Sequence, residues 1–463
     1  MIHRIDRKVW VVVAISLAIL GLAGCGGSGG AVSGLSKRAF VSDFADGTLH
    51  IEDAVRDEES PFTIATGNEP NVIAISPDET LALVFDTLDL SMAVVSTHLE
   101  AVQGRIVLPS PSTSYVAMPD DENGFVAVPN CPPASCGGFS NVVENVDIYT
   151  NFDISNTVTV ALNTNTGVYE PLNVARTLVL SPTTSKLLVF GAAADHQAIF
   201  TVIDTGMAEN STTVATAGTL LFGPAFDMPV WGVFTTDGTK AYILNCGPEC
   251  GGTTASVTLV DLTTTPPTVG TPVPVPAATV GLLNGTTLYV AGTPPNQSAS
   301  FCSPLVPAVS VCGTLSVLNT ASLASGPTAT VPISDGTHTL MALGSNGKLF
   351  IGAGPTCTAG CLSIFDTGTN QSGVDGPSNG TGACNMLGTC NGTGNVTAMA
   401  AIPNRSVMYV IEDVAGGSLD CTGQLPCLGK LRIYDTTAPA TTPTLAPTQI
   451  NVVGKAIDVK YVD

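Results

Sequence analysis

Cysteine is the residue type whose spacing predicts the most chemistry in this chain of 463 residues. Twelve of its 13 cysteines stand in six close pairs, namely Cys131 with Cys136, Cys246 with Cys250, Cys302 with Cys312, Cys357 with Cys361, Cys384 with Cys390 and Cys421 with Cys427. A zinc site would need cysteine pairs at CxxC spacing that converge with histidine, whereas these spacings are irregular and histidine is scarce. We therefore predict disulfides, each of which closes a short loop and stiffens it locally rather than tying distant elements together.

Polar residues in the connections between predicted strands form a second set of candidate functional groups. The set predicted to lie on one binding face comprises Asp86, Asp89, Asp195, His196, Glu249 and Asp413. Carboxylate oxygens suit Ca²⁺, but no DxDxDG-type loop is present, and solvated surface acids explain the same residues without an ion. His196 stands beside an acid in this set, whereas His50 and His338 lie in predicted strands. We predict no cofactor, with Ca²⁺ as the alternative.

The sequence lacks the motifs that mark common enzyme active sites. It has no GxSxG elbow between a strand and a helix, no HExxH, no CxxCH haem site and no phosphate-binding loop. No catalytic residue is therefore predicted.

The N-terminus has the features of a secretion signal, because basic residues precede an apolar run, Val9–Gly21, as long as a signal-peptide core. The run ends at Leu22-Ala-Gly-Cys25, which resembles the lipobox of bacterial lipoprotein precursors. The resemblance implies a signal peptide over residues 1–24, a diacylated Cys25 and a flexible tether over residues 25–38. Gly26 in place of Asp favours the outer membrane. The alternative is an ordinary signal peptide or a weak membrane anchor. A lipoprotein signal and an ordinary signal peptide would both place the cysteines in an oxidising compartment.

Charge excludes some partners. Acidic residues outnumber basic ones by 37 to 16, which gives a net charge of −21. Such a chain is poorly suited to nucleic acid or to anionic membrane surfaces. An acidic composition would also be explained by the need for solubility alone, so the net charge does not identify a ligand.

A repeated unit dominates the chain after the signal. Its clearest copy joins a strand at Val230–Phe234, an Asp237-Gly238 turn, a strand at Lys240–Asn245, a cysteine-bearing loop and a strand at Ser256–Asp261. Successive copies follow at intervals of about 40–60 residues, with four strands in most units, and this pattern indicates a β-propeller. We call the four strands of a unit a, b, c and d.

The repeats resemble the YVTN family of propeller repeats. The residues that carry the resemblance are Ser76-Pro-Asp78, Tyr242-Ile-Leu-Asn245 and Thr201-Val-Ile-Asp204-Thr205. The resemblance implies the fold and a lactonase-like or YncE-like ring, but the catalytic His, Glu and Arg sets of enzymes in such families cannot be mapped here. Quinone-cofactor propellers carry repeated Trp residues, whereas Trp231 is the single Trp beyond the signal.

The two ends of the chain complete the ring. Ala39–Ser42, Thr48–Ile51 and Phe62–Ile64 are predicted as strands b, c and d of a blade whose strand a is Ala456–Tyr461. The prediction is an all-β propeller over residues 39–463 with eight blades. Seven blades are the fallback if residues 125–173, where strand c is predicted at Val158–Leu162, do not form a regular blade.

The predicted loops place function on one face. The a–b turns are short, whereas the b–c connections are uneven and hold five of the six cysteine pairs. Stiffened, variable loops on a rigid ring are how binding surfaces are commonly built, although insertions stapled for durability would look the same. We predict a monomeric, lipid-anchored, non-catalytic module that binds a protein or glycan and no nucleic acid. The alternatives are an envelope enzyme acting on a lactone or glycan in the central funnel, and a structural part of an envelope complex.

Overall fold

A computed structural model describes most of the chain beyond residue 31. The described residues are 32–118, 122–136, 141–158, 160–163, 168–171, 175–183, 185–191, 200–205, 218–221, 223–302, 312–354, 357, 361–375, 395–413, 428–441, 444, 446, 448 and 450–463. The predicted signal peptide and Cys25 lie outside them. Among the described helices, none has the length and apolarity needed to cross a membrane.

Eight sheets form the blades of a β-propeller, which confirms the predicted fold and blade count. Blade 1 takes β1 (Arg38–Asp43), β2 (Thr48–Asp53) and β3 (Glu58–Ala65) as its strands b, c and d. Blade 2 consists of β4 (Pro70–Ile75), β5 (Leu81–Asp86), β6 (Ser91–Ser96) and β7 (Ala101–Val107). Blade 3 consists of β8 (Ser114–Ala117), β9 (Asn123–Pro129), β10 (Asn141–Asp147) and β11 (Asp153–Val158).

Blades 4 and 5 are elaborated at their outer edges. A hairpin of β12 (Val160–Asn163) and β13 (Val168–Pro171) joins blade 4, where β12 pairs in parallel with the outermost strand. The rest of blade 4 is β14 (Ala175–Leu180), β15 (Lys186–Gly191), β16 (Phe200–Asp204) and β17 (Gly218–Leu221). Blade 5 consists of β18 (Pro229–Phe234), β19 (Lys240–Asn245), β20 (Ser256–Asp261) and two short strands, β21 (Thr268–Val269) and β22 (Val273–Pro274).

The remaining blades are regular. Blade 6 consists of β23 (Val280–Asn284), β24 (Thr287–Gly292), β25 (Gly313–Asn319) and β26 (Ala329–Ile333). Blade 7 consists of β27 (His338–Leu343), β28 (Lys348–Ala353), β29 (Leu362–Asp366) and β30 (Gln371–Asp375). Blade 8 consists of β31 (Asn395–Ala401), β32 (Val407–Asp413), β33 (Leu428–Asp435) and β34 (Ile450–Val453). The described helices are α1 (Ala299–Cys302) and 3-10 turns at Gly247–Cys250, Thr320–Ser325 and Ser345–Gly347.

The last strand, β35 (Ala456–Val462), is the inner strand of blade 1 and closes the ring as predicted. It pairs antiparallel with β1, so that Ala39 faces Tyr461 and Val41 faces Val459. Contacts between neighbouring inner strands continue all the way round, from β4 through β31 to β35 and back to β4. Closure of this kind removes the exposed inner-ring edges that an open array of blades would leave.

Short polar side chains shape the a–b turns. In blade 2 the Ser76 hydroxyl donates to Asp78 Oδ1 and accepts the N–H of Leu81, while Asp78 also accepts the N–H of Thr80. In blade 5, Thr235, Asp237 and Lys240 make the equivalent contacts. These bonds explain why a hydroxyl residue, then Asp, recurs after strand a, since Ser, Thr and Asp side chains hydrogen-bond to their own turn.

The core lies between blades. Strands b and c are covered on both sides by neighbouring blades, so whole strands such as β5 and β28 are buried. One cluster, between blades 6 and 7, packs Tyr289 and Leu315 against Ile351 and Phe365. Burial on both faces explains why these strands are apolar throughout rather than alternating.

Blade 3 corrects one strand assignment. Its strand c is β10, not the predicted Val158–Leu162, because Val158 ends strand d and residues 160–163 form β12, one strand of the outer hairpin of blade 4. The strand was hidden because its middle carries Glu144 and Asn145, which are polar but 1% and 0% exposed. Glu144 is held there by the Thr157 hydroxyl, 2.6 Å away. The b–c connection of blade 3 is therefore shorter than predicted.

Candidate functional site

The face of the ring that carries the b–c and d–a connections, here called the loop face, also carries the described disulfides. Cys131–Cys136, Cys246–Cys250, Cys302–Cys312 and Cys357–Cys361 are bonded, and each lies between strands b and c of its blade. In the described part of the chain, the cross-links therefore all act on one kind of connection and on one face.

Two of the predicted disulfides stay predictions. Cys384 and Cys390 both lie outside the described residues, in the stretch between β30 and β31. Cys421 and Cys427 also lie outside them, in the stretch between β32 and β33. The structure therefore confirms four of the six predicted pairs and leaves the pairing of Cys384 with Cys390 and of Cys421 with Cys427 untested.

The b–c loop of blade 5 shows how a disulfide loop is fixed to the ring. Pro248 is the second residue of the 3-10 turn that spans Gly247–Cys250, and Gly251 ends the turn in the left-handed conformation that favours glycine. Asp227, in the connection before strand a, accepts the N–H groups of Thr253 and Thr254 and the Thr253 hydroxyl. The loop is thus bound to its neighbouring d–a connection as well as closed by sulfur.

Glu249 links this loop to the next blade. Its Oε2 accepts the N–H of Thr293 at 2.7 Å, while Oε1 is buried with no partner among the described residues. Burial raises the pKa of this carboxyl to about 7, against the opposing effect of the Thr293 N–H. The Thr293 hydroxyl bonds to the Gly336 carbonyl and lies 3.2 Å from Nδ1 of His338. Burial lowers the pKa of His338 to about 4, so at neutral pH this chain of contacts holds a neutral imidazole.

Asp86 and Asp89 lie in the b–c turn of blade 2, where they hold neighbouring segments together. Asp86 is fully buried at the end of β5, and Arg105 of strand d lies 2.9 Å from its Oδ2. Burial raises the pKa of Asp86 to about 6 although Arg105 opposes the shift. Asp89 is exposed and accepts both the backbone and the side-chain N–H of Asn68. Both carboxylates therefore already serve the packing of the turn.

The remaining predicted site residues are not assembled into one site by the described structure. Asp195 and His196 lie outside the described residues, and Asp413 ends β32 with its side chain outside them. Glu249 belongs to blade 5, whereas Asp86 and Asp89 belong to blade 2. The loop face is therefore a broad surface to which these residues contribute separately.

A polar cluster that the sequence did not reveal lies at the b–c turn of blade 1. His50 is buried, with Nε2 3.1 Å from Asp43 Oδ2 and Nδ1 2.8 Å from Glu59 Oε1. Burial opposes protonation, but the two carboxylates raise the pKa of His50, and hydrogen bonds from His50 and backbone N–H groups lower that of Asp43 despite its burial. Asp46 in the turn completes a group able to hold a metal. The sequence contains one feature that could have indicated this cluster, namely that Asp43 ends strand b of blade 1 as Asp86 ends strand b of blade 2.

The inner strands use their ionisable side chains to hold the ring together. Asp458 on β35 accepts the N–H of Ile73 on β4 and pairs with Lys460. Tyr115 on β8 donates to the carbonyl of Val72 on β4. These groups bond one inner strand to the next, which is a packing role rather than the convergence of an acid and a base on a substrate.

Solved structures share this fold. No protein-family model matches the sequence, and no curated protein matches it. Dihydro-heme d1 dehydrogenase NirN in complex with DHE aligns with a TM-score of 0.60 and 11% identity, over 91% of this chain and 74% of that one. Apo AztD from Citrobacter koseri aligns with a TM-score of 0.54 and 10% identity, over 92% and 97%. At such identities the likeness is one of fold, so the chain is a β-propeller whose function has to be inferred from its own residues.

Proposed function

We propose that this protein is a lipoprotein of the bacterial cell envelope whose propeller is a non-catalytic binding module, with a protein or glycan ligand held on the loop face. The observation that carries the proposal is the placement of the disulfides. Four disulfides, in four different blades, each close a b–c connection. They therefore restrict the conformational freedom of the chain on the loop face in particular. A surface ordered in advance binds with a smaller entropic cost, which is the advantage that a binding face gains.

Further contacts support a rigid face. Glu249 joins the loop of blade 5 to blade 6, and Thr293 joins blade 6 to the connection before blade 7. Leu88, in the b–c turn of blade 2, is 66% exposed and offers apolar surface on this face. The net charge of −21 makes nucleic acid an unsuitable ligand. The enzyme alternative would use the ring axis, where Asp458, Lys460 and Tyr115 are engaged in contacts of the inner strands themselves.

A pair of leucines in blade 2 allows a matched test of the binding face. Leu88 lies in the b–c turn and Leu99, 59% exposed, lies in the c–d turn on the opposite face. Immobilised protein is titrated with solubilised envelope proteins and with peptidoglycan fragments. We expect saturable binding that falls at least fivefold in Leu88→Ser and in a variant with the Cys246–Cys250 loop cut back, and that is unchanged in Leu99→Ser.

Two results would contradict the proposal. Equal binding by the loop-shortened and unaltered proteins would remove the loop face from consideration, and loss in Leu99→Ser alone would place the ligand on the opposite face. The anchor is tested separately by metabolic labelling with a fatty acid, which should mark the unaltered protein and not Cys25→Ala. Labelling of both would exclude Cys25 as the lipidated residue.

A further inference from the structure

Three side chains with metal-binding groups meet at the b–c turn of blade 1. One ligand atom from each of Asp43, Asp46 and His50 lies within 4.8 Å of the others. The pairing of β1 with β2 produces this arrangement, since Asp43 pairs with Thr48 and His50 pairs with Val41. Asp43 and His50 therefore project from the same side of the sheet, and the turn at residues 44–47 places Asp46 beside them.

The imidazole of His50 is oriented as a metal-bound histidine is. Glu59 on β3 lies 2.8 Å from Nδ1, while Nε2 points at Asp43 Oδ2. A histidine that ligates a metal commonly donates its other ring N–H to a carboxylate, which fixes the tautomer and raises ligand basicity. In the metal-free chain Nε2 and Asp43 Oδ2 share a hydrogen bond, and a bound metal would take the place of the proton on Nε2 while Nδ1 keeps its N–H toward Glu59.

Asp43 is held in place by its other oxygen. Oδ1 accepts the N–H groups of Ala45 at 2.9 Å and of Lys455 at 2.9 Å, which leaves Oδ2 directed toward His50. Gly454 packs against this carboxylate with φ of +129°, and a Cβ at residue 454 would overlap Asp43 Oδ2. The carboxylate is thus preorganised by backbone on two sides.

Glu52 is a buried carboxyl group beside the cluster whose hydrogen-bonding capacity is unused. It lies two residues beyond His50 on the same face of β2, opposite Glu59, and it is 0% exposed. Neither of its carboxylate oxygens has a hydrogen-bond partner in the part of the chain that the structure describes. Within the described chain, His50 is the single basic side chain that pairs with Asp43 or Glu59. A buried polar group without a partner calls for one, and an ion or its bound water can supply it.

We propose that Asp43 Oδ2, a carboxylate oxygen of Asp46 and Nε2 of His50 bind a first-row divalent cation, with Zn²⁺ the best match. One nitrogen and two oxygens suit zinc or a similar transition metal, whereas Ca²⁺ takes oxygen ligands alone. Asp46 is exposed and opens the site to solvent, so further coordination positions face the loop face of the ring. The site stands on blade 1 geometry and does not depend on the proposed binding function.

Metal titration of the full-length chain, purified in detergent with its disulfides intact and freed of metal by chelator, tests the site. Calorimetry with ZnCl₂ should show one equivalent per chain at micromolar affinity or better, not displaced by a tenfold excess of Ca²⁺. Asp46→Asn and His50→Gln should each weaken binding at least tenfold. His98→Gln, a substitution of an exposed histidine on the opposite face, is the matched control and should bind as the unaltered chain does.

Cobalt gives a second readout that identifies the ligands. Co²⁺ bound by one imidazole and two carboxylates should show weak visible bands without a thiolate charge-transfer band, and these bands should be lost in Asp46→Asn. Because Asp46 is exposed in a turn, that variant should fold even if His50→Gln does not. No zinc binding by the unaltered chain, full binding by Asp46→Asn, or a thiolate band would each overturn the proposal.

Discussion

Buried carboxyl groups give the folded ring a predictable dependence on pH. Glu249, Glu144 and Asp86 all lie within the fold, and burial raises the pKa of each, to about 7, about 7 and about 6. An acid whose pKa is higher in the folded state binds more protons there than in the unfolded chain. The contribution of these three groups to folding stability therefore falls as the pH rises from their ordinary pKa values to the raised ones.

Glu249→Gln should remove part of this pH dependence. Between pH 4.5, the usual pKa, and pH 7 the folded Glu249 keeps a proton that the unfolded chain releases. Titration of Glu249 should lower the free energy of unfolding by roughly 2–3 kcal/mol between pH 5 and pH 8. The total loss over this range should be smaller in the variant by the same amount. Gln keeps an acceptor for the Thr293 N–H. Denaturant unfolding at both pH values measures the difference, with exposed Glu58→Gln as the control; parallel losses in all three proteins would contradict the assignment.

Sequence reasoning reached the residues whose role depends on local spacing and missed those whose role depends on register. Cys246 and Cys250 are near neighbours in the chain, so their pairing follows from spacing alone. His50 and Asp43 instead meet because β1 and β2 pair in one particular register. In the sequence His50 is one polar residue within a strand pattern, and Glu59 lies on a third strand. Neither composition nor spacing shows that these side chains converge.

At the scale of elements, the b–c connections are modified while the strands that they join stay regular. The connection between β24 and β25 in blade 6 is closed by Cys302–Cys312, ten residues apart, and both cysteines are buried. Strands were predictable wherever the apolar pattern was continuous, as in β5. Strand β10 was not, because it buries the polar residues Glu144 and Asn145 and is stabilised by pairing with β9 and β11 rather than by an apolar pattern of its own.

Replacing Cys302 and Cys312 together by alanine should loosen one connection and leave the ring folded. Closure of a loop of this length accounts for at most about 3 kcal/mol of unfolded-state entropy, which corresponds in a chain of this size to a Tm lower by roughly 2–4 °C. The far-UV circular dichroism spectrum should not change. Calorimetry under oxidising conditions compares the Tm of the double variant with that of the unaltered protein, and the reduced form of the unaltered protein serves as a parallel control. Global unfolding of the double variant would show that this disulfide supports the core.

For the whole molecule, the decisive feature is that the two ends of the chain share blade 1. Besides the pairing of β35 with β1, Arg405 and Tyr409 of blade 8 both bond to Asp57 of blade 1. This arrangement was predictable because the N-terminal blade lacks a strand a and the C-terminus supplies one unpaired strand. The ring is therefore held at its closure by backbone pairing within blade 1 and by a polar network between blades 8 and 1.

Removal of residues 455–463 should open the ring. The truncated chain loses β35, exposes the edge of β1 and uncovers the cluster that contains Val41 and Val459. We expect a Tm lower by more than 10 °C and association through the freed edge, measured by calorimetry and by light scattering after size exclusion. Val459→Asp, which buries a charge at a position with 0% exposure, should destabilise the ring by about 3 kcal/mol or more, whereas Lys460→Arg at the next residue, which keeps a cation beside Asp458, should have a small effect. A synthetic peptide of residues 455–463 should restore part of the Tm of the truncated chain, because it can pair with β1 as an added strand. A truncated chain that stays monomeric with an unchanged Tm would mean that the blades hold together without the closing strand.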